Sequence, residues 1–216
     1  EEPLVLIGSP PCTAFSSWQH VNYAKLAPEE VERKKLEGIV HLKFVVQLYR
    51  DQLKAHRYFL HEHPLSAMSW AEDCMRELAA LSTVFESRCD QCMYGCSTAE
   101  TPNSPAMAAR KATRFLSNSV EMLDQLRRRC DGSHDHKQLR GKDLAEAAFY
   151  PAGLIHAIIK GINFTHAADI VKRAVNDPSH ICSAPRIRGY GTESHVLGNC
   201  RMKLTTGGSK LSLIHI

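Results

Sequence analysis

The sequence predicts an α/β fold in which a partial doubly wound parallel sheet is flanked by helices and followed by a poorly structured C-terminal tail. Short apolar runs alternate with longer stretches of helical period over the first half of the chain. Two polar motifs directly follow predicted strands, at the edge where open α/β sheets bind ligands. Beyond about residue 176, proline, glycine, serine and histidine replace any sustained period.

The first predicted strand is the apolar run Leu4–Ile7, which stops at Gly8 and is typical of a buried parallel strand. A helix is predicted over residues 28–56, because Pro28 and the two acids after it favour a helix start. Its apolar positions recur at steps of three and four and are Ile39, Leu42, Val46, Tyr49 and Leu53.

Two more strands complete the predicted sheet. They are Tyr58–Leu60 and Val84–Cys89, with a helix over about residues 69–82 between them. All three strands are expected to be adjacent and parallel, because right-handed crossovers align their ends along one edge.

The sequence after the third strand is less regular. Residues 97–109 are small and polar and predict a loop, and Phe115–Leu116 is a candidate short strand. Ser119 is the expected N-cap of the next helix. Two further helices are predicted over about residues 151–162 and 167–175.

Composition restricts the class of protein. The 216 residues are 44% hydrophobic, which is enough for a buried core, and a net charge of +4 is compatible with nucleic acid. No segment has the pattern of a signal peptide, and the most apolar later stretch, 147–162, is too short and polar for a bilayer. We therefore expect an intracellular protein, in the nucleus or cytoplasm, with no membrane partner and with its eight cysteines reduced or bound to metal.

The first polar motif is Gly8–Ser16, which reads Gly-Ser-Pro-Pro-Cys-Thr-Ala-Phe-Ser. Its two prolines hold the approach to Cys12 in an extended geometry. A thiol at a strand end, near the amides that open the next segment, is expected to ionise more readily than a free cysteine. A buried structural cysteine is the alternative interpretation.

The second polar motif is Leu60–Pro64, which reads Leu-His-Glu-His-Pro. Glu62 is a candidate acid, although a carboxylate at a strand end is often a helix cap or a solvated turn residue. One long crossover helix separates Cys12 from Glu62, so the predicted sheet brings them to the same edge.

A third motif combines Tyr94-Gly95 with the basic run Arg110-Lys-Ala-Thr-Arg114. The candidate nucleic-acid-binding residues in this run are Arg110, Lys111 and Arg114, which could neutralise phosphates. An ordinary solvated basic turn is the alternative.

Over about residues 4–165, the order and spacing of these motifs resemble the catalytic half of DNA cytosine-5 methyltransferases, a Rossmann-like domain. That family carries Gly-x-Pro-Cys with a serine a few residues on, which Cys12 and Ser16 match. Its glutamate–asparagine motif at the end of the next strand resembles Glu62-His63, with histidine in place of asparagine.

The match to the third family motif is weaker. A Tyr-Gly turn followed by Gln-x-Arg-x-Arg is similar to Tyr94-Gly95 and Arg114, whereas Arg110 and Ala112 depart from the pattern. Similar stretches also occur inside retroelement polyproteins of protists.

The resemblance implies a reaction on DNA. The thiolate of Cys12 would add to C6 of a flipped-out cytosine, while protonated Glu62 stabilises the ring through N3. C5 would then take a methyl group from S-adenosylmethionine in the intact parent. Ser16 joins the three basic residues as an implied nucleic-acid contact.

The methyl-donor elements of the family are missing from this sequence. They comprise a Gly-rich turn after the first strand and an acid after the second, whereas Gly189-Tyr-Gly191 and Gly207-Gly208 come late and precede no predicted helix. We therefore expect a fragment that lacks the N-terminal portion of the same polypeptide, is inactive alone and does not bind S-adenosylmethionine. Its cofactor-binding residues are unassigned.

The chain divides into residues 1–165, the methyltransferase-like half, and residues 166–216, a tail with one helix and then irregular sequence. The final residues 211–216 resemble translated sequencing-adaptor sequence, so we expect this end to be foreign to the protein.

Cysteine and histidine spacing indicates a candidate zinc site. The candidate ligands are Cys89, Cys92, Cys130, His134 and His136. The two halves are far apart in sequence, and side chains on a strand would point to opposite faces. Unligated thiols and surface histidines are the alternative.

Two classes of function are therefore open. One is a fragment of a cytosine-5 methyltransferase, and the other is a degenerate nucleic-acid-binding or structural module of a retrotransposon polyprotein, with or without a structural zinc. A cysteine hydrolase is a third class, but no spacing pairs a histidine with Cys12. The sequence leaves open the target sequence, DNA versus RNA, and the oligomeric state.

Overall fold

Strands and helices alternate along the first half of the chain, in the order that the sequence predicts. A computed structural model describes residues 2–16, 19, 23–24, 26–98, 105–139, 143, 147–176, 203–206 and 209–214. The described strands are β1 Val5–Gly8, β2 Tyr58–Pro64, β3 Phe85–Asp90, β4 Ser97–Thr98, β5 Met107–Ala108, β6 Ala112–Ser117, β7 Lys203–Thr206 and β8 Ser209–Ile214. The described α-helices are α1 Pro28–Lys54, α2 Asp73–Ala79, α3 Val120–Asp124 and α4 Ala152–Asn176.

The first two strands are parallel neighbours, as predicted, with Val5 opposite Tyr58 and Gly8 opposite His61. The main sheet has the order β3-β6-β2-β1-β8-β7. The prediction that β3 also lies beside β2 is wrong, because β6 pairs antiparallel with both of them. The sheet is therefore only partly parallel.

The inserted strand β6 is longer than the sequence predicts. The candidate Phe115–Leu116 belongs to a six-residue strand. Thr113 and Phe115–Ser117 are all buried in it. A strand that is buried on both faces lacks the apolar–polar alternation of a strand with one face in water. The length of β6 is consistent with its position between β3 and β2. That position does not follow from the order of the strands along the chain.

Helices cover both faces of the sheet. On one face, α1 and α2 pack against strand residues that include Leu6 and Phe59. On the other face, α3 and α4 pack against strand residues that include Leu60 and Phe115. Consecutive strand residues therefore face different cores, as the two-residue period of a strand requires.

The helix α1 begins and ends where local sequence favours it. Pro28 occupies the first turn, and two glutamates follow at the positive end of the helix dipole. The helix ends at Lys54, and His56 adopts a left-handed φ of 53°, which turns the chain into β2.

The helix α4 is continuous, whereas the sequence predicts two helices over residues 151–162 and 167–175. Thr165 lies between the predicted helices, and its hydroxyl donates to the carbonyl of Gly161 at 2.9 Å. Because the polar side chain is satisfied inside the helix, the helical pattern is not interrupted. The helix crosses the predicted division between residues 165 and 166.

Two strands occur in the tail that the sequence predicts to be irregular. They form the antiparallel hairpin β7–β8, and β8 pairs parallel with β1. The open side of β1 offers unpaired backbone groups to any strand that reaches it. The late glycine pairs Gly189–Gly191 and Gly207–Gly208 lie outside the described residues.

No helix in the described part of the chain is long and apolar enough to cross a membrane.

Candidate functional site

Glu62 lies near the carboxyl end of β2, where two hydroxyl groups hold its side chain. Because Gly8 is opposite His61 in the sheet, the chain leaving β1 passes beside Glu62. The hydroxyl of Ser9 donates to Glu62 Oε2, and the hydroxyl of Tyr150 donates to the same oxygen at 2.7 Å. These two bonds orient the carboxyl group.

Tyr150 remains a proton donor at any ordinary pH. Burial raises the pKa of its hydroxyl well above the usual value, and the charge of Glu62 raises it further. The hydroxyls of Tyr150 and Ser9 lie 2.8 Å apart, so they contact the Glu62 oxygen as a pair.

The other oxygen of Glu62 is buried without a partner. Glu62 is 4% exposed, and its Oε1 has no hydrogen-bond partner among the described residues. Each buried polar atom without a partner costs about 1–3 kcal/mol. A ligand atom that forms a hydrogen bond with Oε1 would remove that cost.

Cys12 lies at the same edge of the sheet, at the start of the 3-10 turn Thr13–Phe15. Its carbonyl accepts the N–H of Phe15 at 3.0 Å, and the residue is half-buried. Burial raises the pKa of the Cys12 thiol, and the charge of Glu62 raises it further. The expectation of a readily ionised thiol is therefore wrong, because desolvation outweighs the effect of nearby positive charge.

Lys111 supplies the positive charge beside this thiol. Its charge lowers the pKa of Cys12, in opposition to burial and to Glu62. Its Nζ lies 5.8 Å from the centre of the Tyr150 ring. These residues together form what we call the Cys12 site, which consists of Ser9, Cys12, Glu62, Lys111 and Tyr150.

His63 connects the loop that carries Cys12 to β2. Its Nε2 lies 2.9 Å from the carbonyl oxygen of Pro10, and its Nδ1 lies 2.5 Å from the hydroxyl of Ser69. Because a carbonyl only accepts, Nε2 carries the proton and Nδ1 accepts from Ser69. Burial lowers the pKa of His63, so the ring stays neutral and holds this tautomer.

The predicted basic residues do not act as one group. Lys111 lies in the Cys12 site, whereas Arg110 pairs with Asp90 at 3.3 Å. Arg114 lies on the face of the sheet opposite to the Cys12 site, because side chains alternate along β6. There it stacks on Trp70 at 4.5 Å and pairs with Glu86.

Ser16, the remaining implied nucleic-acid contact, belongs to the turn after Cys12. Its N–H donates to the carbonyl of Thr13 at 3.4 Å, and its carbonyl accepts the N–H of Gln19 at 3.0 Å. These two backbone hydrogen bonds hold Ser16 in the turn that follows Cys12.

Sequence reasoning missed the roles of Ser9 and Tyr150. Ser9 lies inside the first motif, but the spacing of that motif emphasises Cys12. Tyr150 follows Glu62 by 88 residues and precedes Pro151 at the start of α4. Its only sequence signal is that position before a helix, which does not indicate a contact with β2.

A second group of reactive side chains lies apart from Glu62. It consists of Cys92, Cys130, His134 and His136, whose ligand atoms all lie within 4.8 Å of one another. Cys130 Sγ is 3.8 Å from His134 Nε2 and 3.4 Å from His136 Nε2. We call these residues the four-residue cluster, and they could hold a metal ion.

Cys89 does not belong to this cluster, which corrects the predicted ligand set. It lies on β3 with no exposed surface and packs in the apolar core beside Phe115 and Leu154. Burial raises the pKa of its thiol to about 12. Cys92 lies beyond the end of β3, in the 3-10 turn Gln91–Tyr94, so the two thiols point to different surroundings.

No family model matches the chain, and no curated protein or solved structure matches it either.

Proposed function

We propose that the Cys12 site is the nucleophile and acid of a domain related to DNA cytosine-5 methyltransferases. The observation that carries the proposal is the convergence of Cys12 and Glu62 at one edge of two adjacent parallel strands. Gly8 lies opposite His61 in the sheet and Ser9 donates to Glu62, so the loop that carries Cys12 leaves β1 in contact with the Glu62 carboxyl group. Helices on both faces of the sheet also support the partial doubly wound architecture that the resemblance implies.

The proposed chemistry is addition of a thiolate to a pyrimidine ring. Cys12 Sγ bonds to C6 of a flipped-out cytosine, the C5–C6 double bond opens, and its electron pair moves to C5. The Glu62 carboxylate takes the proton that the Cys12 thiol loses and passes it to N3, which neutralises the charge that the ring takes up. The buried Oε1 is the atom suited to this contact, because Oε2 already accepts from Ser9 and Tyr150.

Lys111 and His63 assist Cys12 in this proposal. The thiol must lose its proton before it attacks, and the charge of Lys111 favours the thiolate. His63 holds the carbonyl of Pro10 and thereby positions the loop that presents Cys12. Both act through Cys12, and neither replaces it.

The residues present do not fit S-adenosylmethionine. A nucleotide-like donor is usually held by a Gly-rich turn after a strand and by an acid after the next one. Here β1 is followed by Ser9-Pro10-Pro11 and β2 by Leu65-Ser66. Methylation is proposed only for a polypeptide that supplies the missing elements.

The four-residue cluster fits a different cofactor. Two thiols and two imidazoles are the donor set that proteins use for structural zinc. We propose zinc as its ion.

The proposed partner is nucleic acid. Lys111 in the Cys12 site would meet a phosphate that flanks a flipped nucleotide. The alternative function is a nucleic-acid-binding or structural module of a retroelement polyprotein, without catalysis. The raised pKa of Cys12 and the engagement of Arg114 with Glu86 favour that alternative.

Covalent capture separates the two functions. A DNA duplex carrying 2-pyrimidinone, which adds thiols at C6 readily and needs no methyl donor, is incubated with the chain and analysed on a denaturing gel. We expect a shifted band that Cys12→Ser abolishes and Glu62→Gln weakens at least about 10-fold. Cys74→Ser, at another half-buried thiol, is the matched control and should leave the band intact. A complex that binds but never becomes covalent would support the non-catalytic module.

A further inference from the structure

The four-residue cluster has the dimensions of a tetrahedral metal site. With Zn–S near 2.3 Å and Zn–N near 2.05 Å, adjacent S and N ligands of a tetrahedron lie about 3.6 Å apart. The separations from Cys130 Sγ to His136 and His134 Nε2 are 3.4 and 3.8 Å, on either side of that value. All four ligand atoms fit within 4.8 Å.

The loop that carries three of the ligands is shaped to bring them together. Gly132 adopts a φ of 79°, a conformation that glycine tolerates best. This turn folds the chain back, so that the N–H of Gly132 donates to Cys130 Sγ at 3.4 Å. The N–H of Ser133 donates to Asp131 Oδ1 at 3.0 Å. An amide directed at a thiolate sulfur is the kind of outer contact that orients metal ligands.

Asp90 anchors this loop to the end of β3. Its carboxylate has no exposed surface and accepts the N–H of Cys130 and the Nε–H of Arg129, each at 2.9 Å. It also accepts from Arg110 at 3.3 Å. These three donors hold the buried Asp90 carboxylate against the loop that carries the ligands.

The same loop is bound to the segment that leads into the Cys12 site. His136 forms a parallel β-bridge with Ala108, and the N–H of Lys137 donates to the Ala108 carbonyl at 2.9 Å. Residues 108–111 are therefore fixed at Ala108 by the ligand loop and at Lys111 by Gln91, whose N–H donates to the Lys111 carbonyl at 3.1 Å.

We infer that one zinc ion, ligated by Cys92, Cys130, His134 and His136, fastens residues 108–111 to the end of β3 and so sets the position of Lys111 beside Cys12. The metal joins two parts of the chain that are far apart in sequence, which is what structural zinc does in small folds. The inference rests on the proposed zinc ligation and is independent of the proposed methyltransferase chemistry.

Metal binding is tested with the full chain, purified under reducing conditions. Bound zinc is measured by elemental mass spectrometry, and Co²⁺ is titrated into metal-free protein while the thiolate–cobalt absorption is followed. We expect one ion per chain with a tetrahedral spectrum. Cys130→Ser and His136→Ala should each weaken binding by more than about 100-fold, since even outer-shell changes cost 10- to 100-fold. The controls Cys74→Ser and His156→Ala should bind normally.

The position of residues 108–111 is tested by limited trypsin digestion. With metal bound, cleavage after Arg110 and Lys111 should be at least about 10-fold slower than in metal-free protein, because cleavage requires local opening. Cleavage after Arg33 in the exposed first part of α1 should not change.

The other possible results of the metal-binding and trypsin experiments would contradict the inference. Less than one ion per chain, or cobalt binding that survives Cys130→Ser, would contradict the ligand set. A Cys92–Cys130 disulfide that persists under reducing conditions would do the same. Full metal binding without protection of residues 108–111 would leave a zinc site but overturn its role at Lys111. All of these results are independent of the covalent-capture experiment with the 2-pyrimidinone duplex.

Discussion

At the scale of single residues, burial and two opposite charges together set the pKa of the Cys12 thiol. Burial is the largest cause of its raised pKa, the charge of Glu62 adds to it, and Lys111 opposes it. Alkylation requires the thiolate, so its rate should rise with pH and continue to rise above the pH at which a free cysteine levels off. The buried Cys89, with a pKa of about 12, should react far more slowly.

Glu62→Gln tests the negative charge. The substitution removes one cause of the raised pKa, so alkylation of Cys12 by iodoacetamide at pH 8 should be about 3- to 10-fold faster. The rate is measured by peptide mass spectrometry. Glu32→Gln, at an exposed position of α1, should leave it unchanged. An unaltered rate in Glu62→Gln would mean that the two side chains do not interact.

Lys111→Met tests the positive charge and should have the opposite effect. Without the cation the pKa of Cys12 rises further, and alkylation at the same pH should be about 3- to 10-fold slower. Lys172→Met changes an exposed lysine of α4 and serves as the control. Faster alkylation in Lys111→Met would contradict the geometry, because it would mean that Lys111 shields the thiol.

At the scale of elements, the start of α3 depends on a buried serine. The hydroxyl of Ser119 accepts the N–H of Met122 at 3.2 Å and lies 2.6 Å from the hydroxyl of Thr165 on α4. Ser119→Ala should lower the free energy of unfolding by about 1–2 kcal/mol, since it removes a cap and a partner of a buried hydroxyl. Urea denaturation measures this change.

The control for that prediction is Ser66→Ala, at an exposed position, which should change the unfolding free energy by less than about 0.5 kcal/mol. Equal effects of the two substitutions would show that the Ser119 cap does not stabilise the junction of α3 and α4.

The elements that the sequence predicts correctly are those with strong local signals. The strand β1, the helix α1 and the strand β2 follow from apolar period, from proline and acids at a helix start, and from turn residues. Their order then places Cys12 and Glu62 on one edge. The insertion of β6 between β2 and β3 could not be predicted, because its pairing joins residues far apart in sequence.

In the candidate sites too, local sequence spacing predicts some residues correctly, whereas residues placed by contacts distant in sequence are missed or misassigned. Four of the five predicted metal ligands converge, and the error concerns Cys89, which the alternation of a strand directs into the core. Tyr150 was missed because only the tertiary fold brings it to Glu62. The basic motif predicts that Arg114 binds nucleic acid, whereas the alternation of side chains along β6 places it on Trp70.

At the scale of the whole molecule, a net charge of +4 gives only weak attraction for nucleic acid. Binding of a single-stranded or duplex oligonucleotide should therefore depend on local contacts such as Lys111. Lys111→Met should weaken binding for all sequences and reduce the slope of log K against log salt by about 1. Fluorescence anisotropy over a salt series measures this slope, and an unchanged slope would remove Lys111 from the interface.

The central claim is that Cys12 and Glu62 act on the same pyrimidine ring, and peptide mapping of the captured complex tests it most directly. The chain is reacted with the 2-pyrimidinone duplex, digested, and analysed by tandem mass spectrometry to locate the residue that carries the base. The account predicts the modification on Cys12, with a lower yield in Glu62→Gln. Modification of Cys92 or Cys130 instead, or a Cys12 adduct whose yield is the same without the Glu62 carboxyl group, would contradict it.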